Sequence, residues 1–417
     1  MRSNSIPLLK KYFVVIAWIL YIAAYTIAGL VTFRHLLGSF PLVKPLGDFA
    51  IYEKAVTLAL EGKSPYFVYH IGAGFLYPPA ALLFIEPFAH IRNFSLRAFL
   101  FIALNFLLIL FIVVRLAKRF ALKNHALLFL TLFFAVMYAP FQELIYVGQI
   151  NLIVLAGIFI MFEYEQSNPW LSGLGLAVAV LLKLTPALLI LYLAANRRIK
   201  EIGTFLLFIL FFSLLSIFRY GFGAWLEFPA VLQWLSVQFP LDTNSQTTIA
   251  NLLDFVWRMQ YRFDPTPNFW DVDIFLWHRI LLAFLGSVSL LTAGWYFFNK
   301  EKFSLPNEPL FIMLLLTMTL MPNVIWYHHY VFLMVPFVLW IYWQKFNLDV
   351  VLWCSIALLA IQIDRFYLTG GLIINAVLYI SLVVLLVSII RFAKTANVSS
   401  ARRTQELIEE SRNALHP

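Results

Sequence analysis

PLGDFAIYEKAVTLALEGKSPYFVYHIGAGFLYPP, residues 45–79, is the most polar run in the first half of a very apolar chain. An apolar run at 12–33 precedes it and a long series of apolar runs follows, so it reads as a loop held outside a stack of membrane helices. Within it, Asp48 to Glu61 has the spacing of an amphipathic helix, with Phe49, Tyr52, Val56 and Ala59 on one face. Asp48 falls in the first turn, where a carboxylate suits the helix dipole, and Gly62 supplies the stop. Two proline–aromatic corners follow, Pro65-Tyr66 and Tyr77-Pro78-Pro79.

The rest of the chain fits that reading. Of 417 residues, 62% are hydrophobic and 12% charged, whereas a soluble domain carries about 25% charged residues. The composition predicts an all-α polytopic membrane protein. Apolar runs near 12–33, 98–117, 125–140, 150–163, 170–183, 186–196, 201–218, 275–298, 308–322, 328–344, 348–363 and 371–391 predict about twelve transmembrane helices with both ends in the cytoplasm. The first run is too long for a signal-peptide core and shows no cleavage site, so it is expected to stay as a span. The net charge of +9 points to topology and not to nucleic acid. Lys118, Arg119, Lys123, Arg197, Arg198, Lys200, Lys300, Lys302, Lys345 and the tail from Arg391 fall on one side. Most acids, including Asp48, Glu53, Glu143, Glu227 and Asp364, fall on the other. The run 78–91 is short and holds Glu86 and Pro87, which predicts a juxtamembrane or re-entrant helix. One transmembrane domain, 1–391, is therefore expected, with large extracytoplasmic loops at 34–97 and 219–273 and a cytoplasmic tail at 392–417. With Cys354 the single cysteine, an intrachain disulfide and a cysteine metal cluster are both excluded. The sequence has no Walker loop, nucleophile elbow, dinucleotide glycine fingerprint or H-E-x-x-H run. No cofactor and no metal are expected.

Ionisable and amide groups near an apolar layer are costly unless paired, which makes them functional candidates. Asp48 fits a general base for a sugar hydroxyl, but from the residues alone a helix-start cap, the commoner use of such a residue, is favoured over it. Gln149 and Asn151 fit hydrogen bonding to sugar hydroxyls, or bonding between helices. Lys183 fits a lipid phosphate, or snorkelling to the interface. His328 and His329, inside the run Trp326-Tyr327-His328-His329-Tyr330, fit phosphate binding, or an aromatic anchor at the interface. Asn244-Ser245-Gln246 fits either a substrate contact or a plain polar loop.

Taken in order, the Asp48 helix, Gly62-x-x-Pro65-Tyr66, Tyr77-Pro78-Pro79, Gly148-Gln149-x-Asn151, Lys183-Leu184-Thr185-Pro186, Asn244-Ser245-Gln246 and Trp326-x-His328-His329 resemble a known pattern. It is that of the bacterial polyprenyl-phosphate-mannose-dependent α-mannosyltransferases, in the C-type membrane glycosyltransferase superfamily (GT-C). The family often shows Asn-Gln-Ser where this chain has Asn-Ser-Gln. The resemblance implies a GT-C-like bundle in the inner membrane, with amphipathic helices in the first outer loop and the active site on the extracytoplasmic face. It implies transfer of a sugar, mannose in that family, from a polyprenyl-phosphate donor to a lipid-linked or surface glycan, with inversion. Asp48 would be the base. Lys183, His328 and His329 would hold the donor phosphate. Tyr66, Tyr77, Gln149, Asn151, Asn244 and Gln246 would contact sugar or acceptor. A transporter or flippase for a lipid-linked sugar is the rival reading, needing the groove and the cations but no base.

Overall fold

The computed structural model describes residues 5–38, 46–67, 74–119, 125–237, 270–322, 325–364, 374 and 376–393. Asn244, Gln246 and the tail beyond residue 393 lie outside the described residues. Every regular element among those described is a helix. In chain order they are α1 (Ser5–Gly38), α2 (Gly47–Leu60), α3 (Ala81–Ala89), α4 (Phe94–Arg119), α5 (His125–Met137), α6 (Ala139–Val147), α7 (Asn151–Tyr164) and α8 (Pro169–Leu182). A 3-10 turn (Thr185–Leu189) leads into α9 (Ile190–Ala195), followed by α10 (Ile199–Tyr220), α11 (Gly223–Val237), α12 (Trp270–Phe303) and α13 (Glu308–Leu320). A second 3-10 turn (Tyr327–Leu333) opens α14 (Met334–Trp343), and α15 (Leu348–Asp364) and α16 (Ala376–Ala393) complete the order.

Five helices are long and apolar enough to cross a bilayer: Trp18–Leu36 within α1, α4, α10, Leu282–Phe303 within α12, and α16. The outward faces of these helices carry Leu206, Leu210, Phe211, Leu214 and Phe218 on α10, for example, all exposed. Such a surface needs lipid against it. The chain is thus an all-α polytopic membrane protein. The other expected crossings fall on shorter helices. The run 125–140 breaks at Tyr138, whose extended backbone separates α5 from α6, and Pro140 starts the second piece. The runs 186–196 and 328–344 each begin as a 3-10 turn. The run 78–91 contributes only the nine residues of α3, about 14 Å of helix and far short of a bilayer.

The short helices form the interior. α7 is apolar all round and buried on nearly every side, as a helix packed within a bundle should be. It lies against α8 so closely that a Cβ on Gly157 would come 2.6 Å from the Gly175 carbonyl oxygen, and one on Gly175 equally close to that of Gly157. Small residues let two backbones approach where lipid gives no hydrophobic drive for association. At the far end of α7, Glu163 pairs with Arg115 of α4 at 2.5 Å, and Arg119 pairs with Glu308 of α13 at 2.8 Å. Buried Glu165 accepts from Tyr192 and Asn307, both at 2.7 Å. Lys300 donates to Asn307 at 2.5 Å and to Asn196. Arg119 and Lys300, both assigned to one side by sequence, therefore gather with Arg115 at one end of α7.

Candidate active site

The corner between α6 and α7 receives the first loop. Leu46 has a left-handed backbone (φ 58) and donates its N–H to the Tyr146 carbonyl at 2.7 Å. Gly148 is also left-handed (φ 77), and a Cβ there would stand 2.8 Å from the Phe49 Cβ. Only glycine permits both the turn and the approach. Phe49, Tyr52, Ala55, Val56 and Ala59 are buried along α2, one step wider than the face the periodicity predicts. The N-cap position is Leu46, with no side-chain cap. Asp48 does not cap the helix. Its carboxylate Oδ2 accepts instead from Gln149 Nε2 across the corner.

Gln149 is buried and held from both ends. Its Oε1 accepts from Tyr52 Oη at 2.7 Å and from Tyr77 Oη at 3.2 Å, and the two hydroxyls lie 2.9 Å apart. That pattern assigns the amide nitrogen to Asp48. Tyr66 stands behind this group, donating to the Tyr77 carbonyl at 3.0 Å and stacking on Phe228 of α11. Ser64 bonds to Glu227 beside it. Burial pushes the Asp48 carboxyl above its ordinary value of 3.8. The neighbouring His328 and the Gln149 bond pull it part of the way down, and the Glu143 charge adds to the rise. A carboxylate so raised is a stronger proton acceptor than one in water.

The second half of the site joins three chain breaks. Asn151 opens α7, and its Oδ1 accepts from Lys183 Nζ at 3.3 Å. Lys183 stands in extended backbone where α8 stops ahead of Pro186. Its Nζ lies 2.7 Å from His329 Nε2, while His329 Nδ1 accepts the Trp326 N–H at 3.1 Å. With Nδ1 used as an acceptor, the ring hydrogen belongs on Nε2, where it points at the lysine amine. The two groups then share a hydrogen bond in which the amine supplies the lone pair. His328 faces elsewhere, because successive residues of a 3-10 turn point about 120° apart. The two imidazole planes lie at 86° with centroids 4.8 Å apart, and His328 Nδ1 comes 3.6 Å from Glu143 Oε1 on α6.

Three donors in this cluster have no hydrogen-bond partner among the described residues: Asn151 Nδ2, Trp326 Nε1 and His328, whose two ring nitrogens are both unbonded. All are buried atoms, and an unsatisfied buried donor costs about 1–3 kcal/mol. Their number and grouping suit a ligand rich in acceptor oxygens, such as a phosphate or a sugar. Among the described residues no three His, Cys, Asp or Glu side chains group as a metal-ligand set.

Asp48, Tyr77, Gln149, Asn151, Lys183, His328 and His329 thus come together from the separated stretches that the sequence nominated. Tyr66 braces the group from behind. Three members were not nominated. Tyr52 read as part of an apolar face, although its hydroxyl anchors Gln149. Trp326 read as part of an aromatic run. Glu143 read as one outer acid among many, although an ionisable residue in the run PFQELIYV is itself a signal.

No curated protein and no solved structure matches the chain. A family model does. The model of glycosyltransferase family 87 matches residues 75–325, more than half of the chain. The matched stretch takes in Tyr77, Glu143, Gln149, Asn151 and Lys183; His328 and His329 fall just past its end, and Asp48 lies well before its start. A membrane-embedded helical bundle with a carboxylate held opposite a nest of unpaired donors accords with that match: the chain belongs to glycosyltransferase family 87, a family of membrane glycosyltransferases.

Proposed function

We propose that this glycosyltransferase moves a hexose, mannose in the nearest pattern its motifs resemble, from a polyprenyl-phosphate donor to a lipid-linked or surface glycan on the extracytoplasmic face of the inner membrane. The cluster of buried, unpaired donors beside Lys183 carries this reading, because a donor phosphate would supply the acceptors they lack. The positive-inside distribution of basic residues supports the extracytoplasmic side for the Asp48 end.

In this mechanism Asp48 removes the proton from the acceptor hydroxyl as that oxygen attacks the anomeric carbon. The new carbon–oxygen bond forms on the face opposite the phosphate. The old bond breaks with its electron pair going to the phosphate oxygen, so a β-linked donor gives an α-linked product. The phosphodiester monoanion becomes a polyprenyl monophosphate with one more negative charge. His328, Trp326 and Asn151 donate to that growing charge, joined by the N–H of Lys183 that its neighbours leave free, while His329 fixes the Lys183 amine beside it. Gln149 orients Asp48 while Tyr77 orients Gln149, and in this reading both contact sugar hydroxyls, a role also proposed for Asn244 and Gln246 of the second loop. The apolar helices form the groove for the isoprenoid. A flippase would have no use for a carboxylate fixed by a buried amide.

The test is reconstitution of the full chain in liposomes with a polyprenyl-phosphate mannose and a panel of lipid-linked acceptors. The expected result is an α-linked mannosyl product and free polyprenyl phosphate. Movement of the donor across the bilayer with no product would overturn it.

A further inference from the structure

Glu143 is the second carboxylate of the site, and the mechanism above gives it no part. It is buried on α6 with Oε1 3.6 Å from His328 Nδ1, within ion-pair distance of a protonated imidazole. The turn that carries His328 is fixed to the same helix, since Tyr138, at the start of α6, donates to the Tyr330 carbonyl at 3.0 Å. An ion-paired imidazole carries hydrogens on both nitrogens. Doubly protonated, the ring would present Nδ1–H on the Glu143 side and leave Nε2–H without a partner among the described residues. The other basic groups here are differently engaged. The Lys183 amine and His329 are bonded to each other, and His329 is bonded to the Trp326 backbone as well. Among the described residues, Glu143 from α6, Asp48 from α2 and the titratable His329 of its own turn bear on the His328 ring. Asp48 is already occupied by Gln149.

We infer that Glu143 is a positioning residue: its carboxylate holds His328 as a doubly protonated ring whose Nε2–H donates to the phosphate oxygen that leaves the sugar. Glu143 itself touches neither sugar nor phosphate. The inference rests on the proposed phosphate role of His328, and adds that the role depends on a second acid. It also divides the carboxylates of the site: Asp48 takes the acceptor proton, and Glu143 fixes the group on the leaving side.

The test measures binding of a short-chain polyprenyl phosphate to the purified full-length protein, and transfer kinetics, for Glu143→Gln, Glu143→Asp, His328→Ala and the double variant Glu143→Gln/His328→Ala. His328→Ala should weaken binding about tenfold, the loss typical of one charge-assisted hydrogen bond. Glu143→Gln should do the same and Glu143→Asp less, since Asp keeps the charge and Gln keeps the shape. In the His328→Ala background Glu143→Gln should add no further loss. Additive losses, or Gln better than Asp, would make Glu143 a packing residue and overturn the inference while leaving the phosphate reading intact. Unchanged binding in His328→Ala would overturn both. A measurement on the unaltered protein guards against misfolding of the Glu143 variants. The ¹⁵N signals of the His328 ring, assigned by their loss in His328→Gln, should report two protonated nitrogens, and a singly protonated ring would sink the proposal.

Discussion

Replacing Asp48 by Asn keeps the outline of the side chain and removes the charge that accepts the proton in the proposed mechanism. Transfer should fall by about a thousandfold, within the range for loss of a general base, while donor binding persists. Full activity in Asp48→Asn, measured with labelled donor, would remove the residue as base. The direction of its shift adds a pH signature. Because burial raises the carboxyl above its usual value, the rate should drop on acidification at a pH above the ordinary carboxylate range. Gln149→Ala should move that drop to still higher pH, since the lost bond stabilised the ionised form. For stability the sign is opposite to that of a salt-bridged acid. The Asp48 contribution is full below its ordinary value of 3.8 and is lost as pH rises through the raised value. At this scale the sequence told much: an acid, two amides, a lysine and two histidines stood out because such groups are expensive beside lipid. It left open whether Asp48 caps its helix, which depends on whether Leu46 and Gly148 turn left-handed. It also passed over Tyr52, which serves the core with its ring and the site with its hydroxyl.

Helix α2 reaches the site by resting on the α6–α7 corner at Gly148. Gly148→Ala forces a side chain into left-handed backbone, at a cost of roughly 1–2 kcal/mol, and drives its Cβ against Phe49. The expected result is a lower melting temperature together with a loss of transfer at least as large as that of Gln149→Ala. Near-normal transfer would show that α2 can be displaced without moving the base. A second support lies at α3. Glu86 accepts from Arg219 at 2.5 Å and from Tyr220 at 2.5 Å, both at the end of α10, and pairs with His90 at 2.9 Å. Mainly through the Arg219 bonds, the Glu86 carboxyl is held down at about 2, from 4.5. The stability this supplies is present above pH 4.5 and is lost as the pH falls toward 2. Arg219→Ala, which removes an exposed guanidinium, should lower the melting temperature at neutral pH and flatten the acid limb of its pH profile between those values. An unchanged acid limb would count against the latch. The elements themselves were only partly legible. Apolar runs showed where helices lie, but hydropathy does not separate α-helix from 3-10 turn, and Tyr138 breaks a run that is apolar on both sides.

Across the whole molecule the polar groups separate to two ends of a greasy bundle. Lys63 lies in the loop at the Asp48 end and Lys302 at the end of α12, where Arg197 pairs with Glu301 at 2.7 Å. Cys354 is buried, so a new cysteine can be read against a quiet background. A membrane-impermeant maleimide should label Lys63→Cys from outside intact cells, and Lys302→Cys only after permeabilisation. The reverse pattern would put the site on the cytoplasmic side. Composition made the fold class readable in advance. The interior was not readable. α7 and α8 are shorter than a bilayer is thick, and they depend on the mutual approach of Gly157 and Gly175, a contact between carbonyls and absent side chains that no periodicity announces.

The α6–α7 corner also bears on how such a catalyst can change. Within nine residues it supplies Glu143 facing His328, Gln149 bonded to Asp48, and Asn151 bonded to Lys183. The proposed base and the proposed phosphate pocket therefore share one reference point, and a shift there would move both together, leaving their separation nearly constant. New acceptors can be accommodated by altering the loops that lean on the corner, with the distance over which the sugar travels preserved. Family members with different acceptors should then diverge most in those loops and least in the spacing from Glu143 to Asn151.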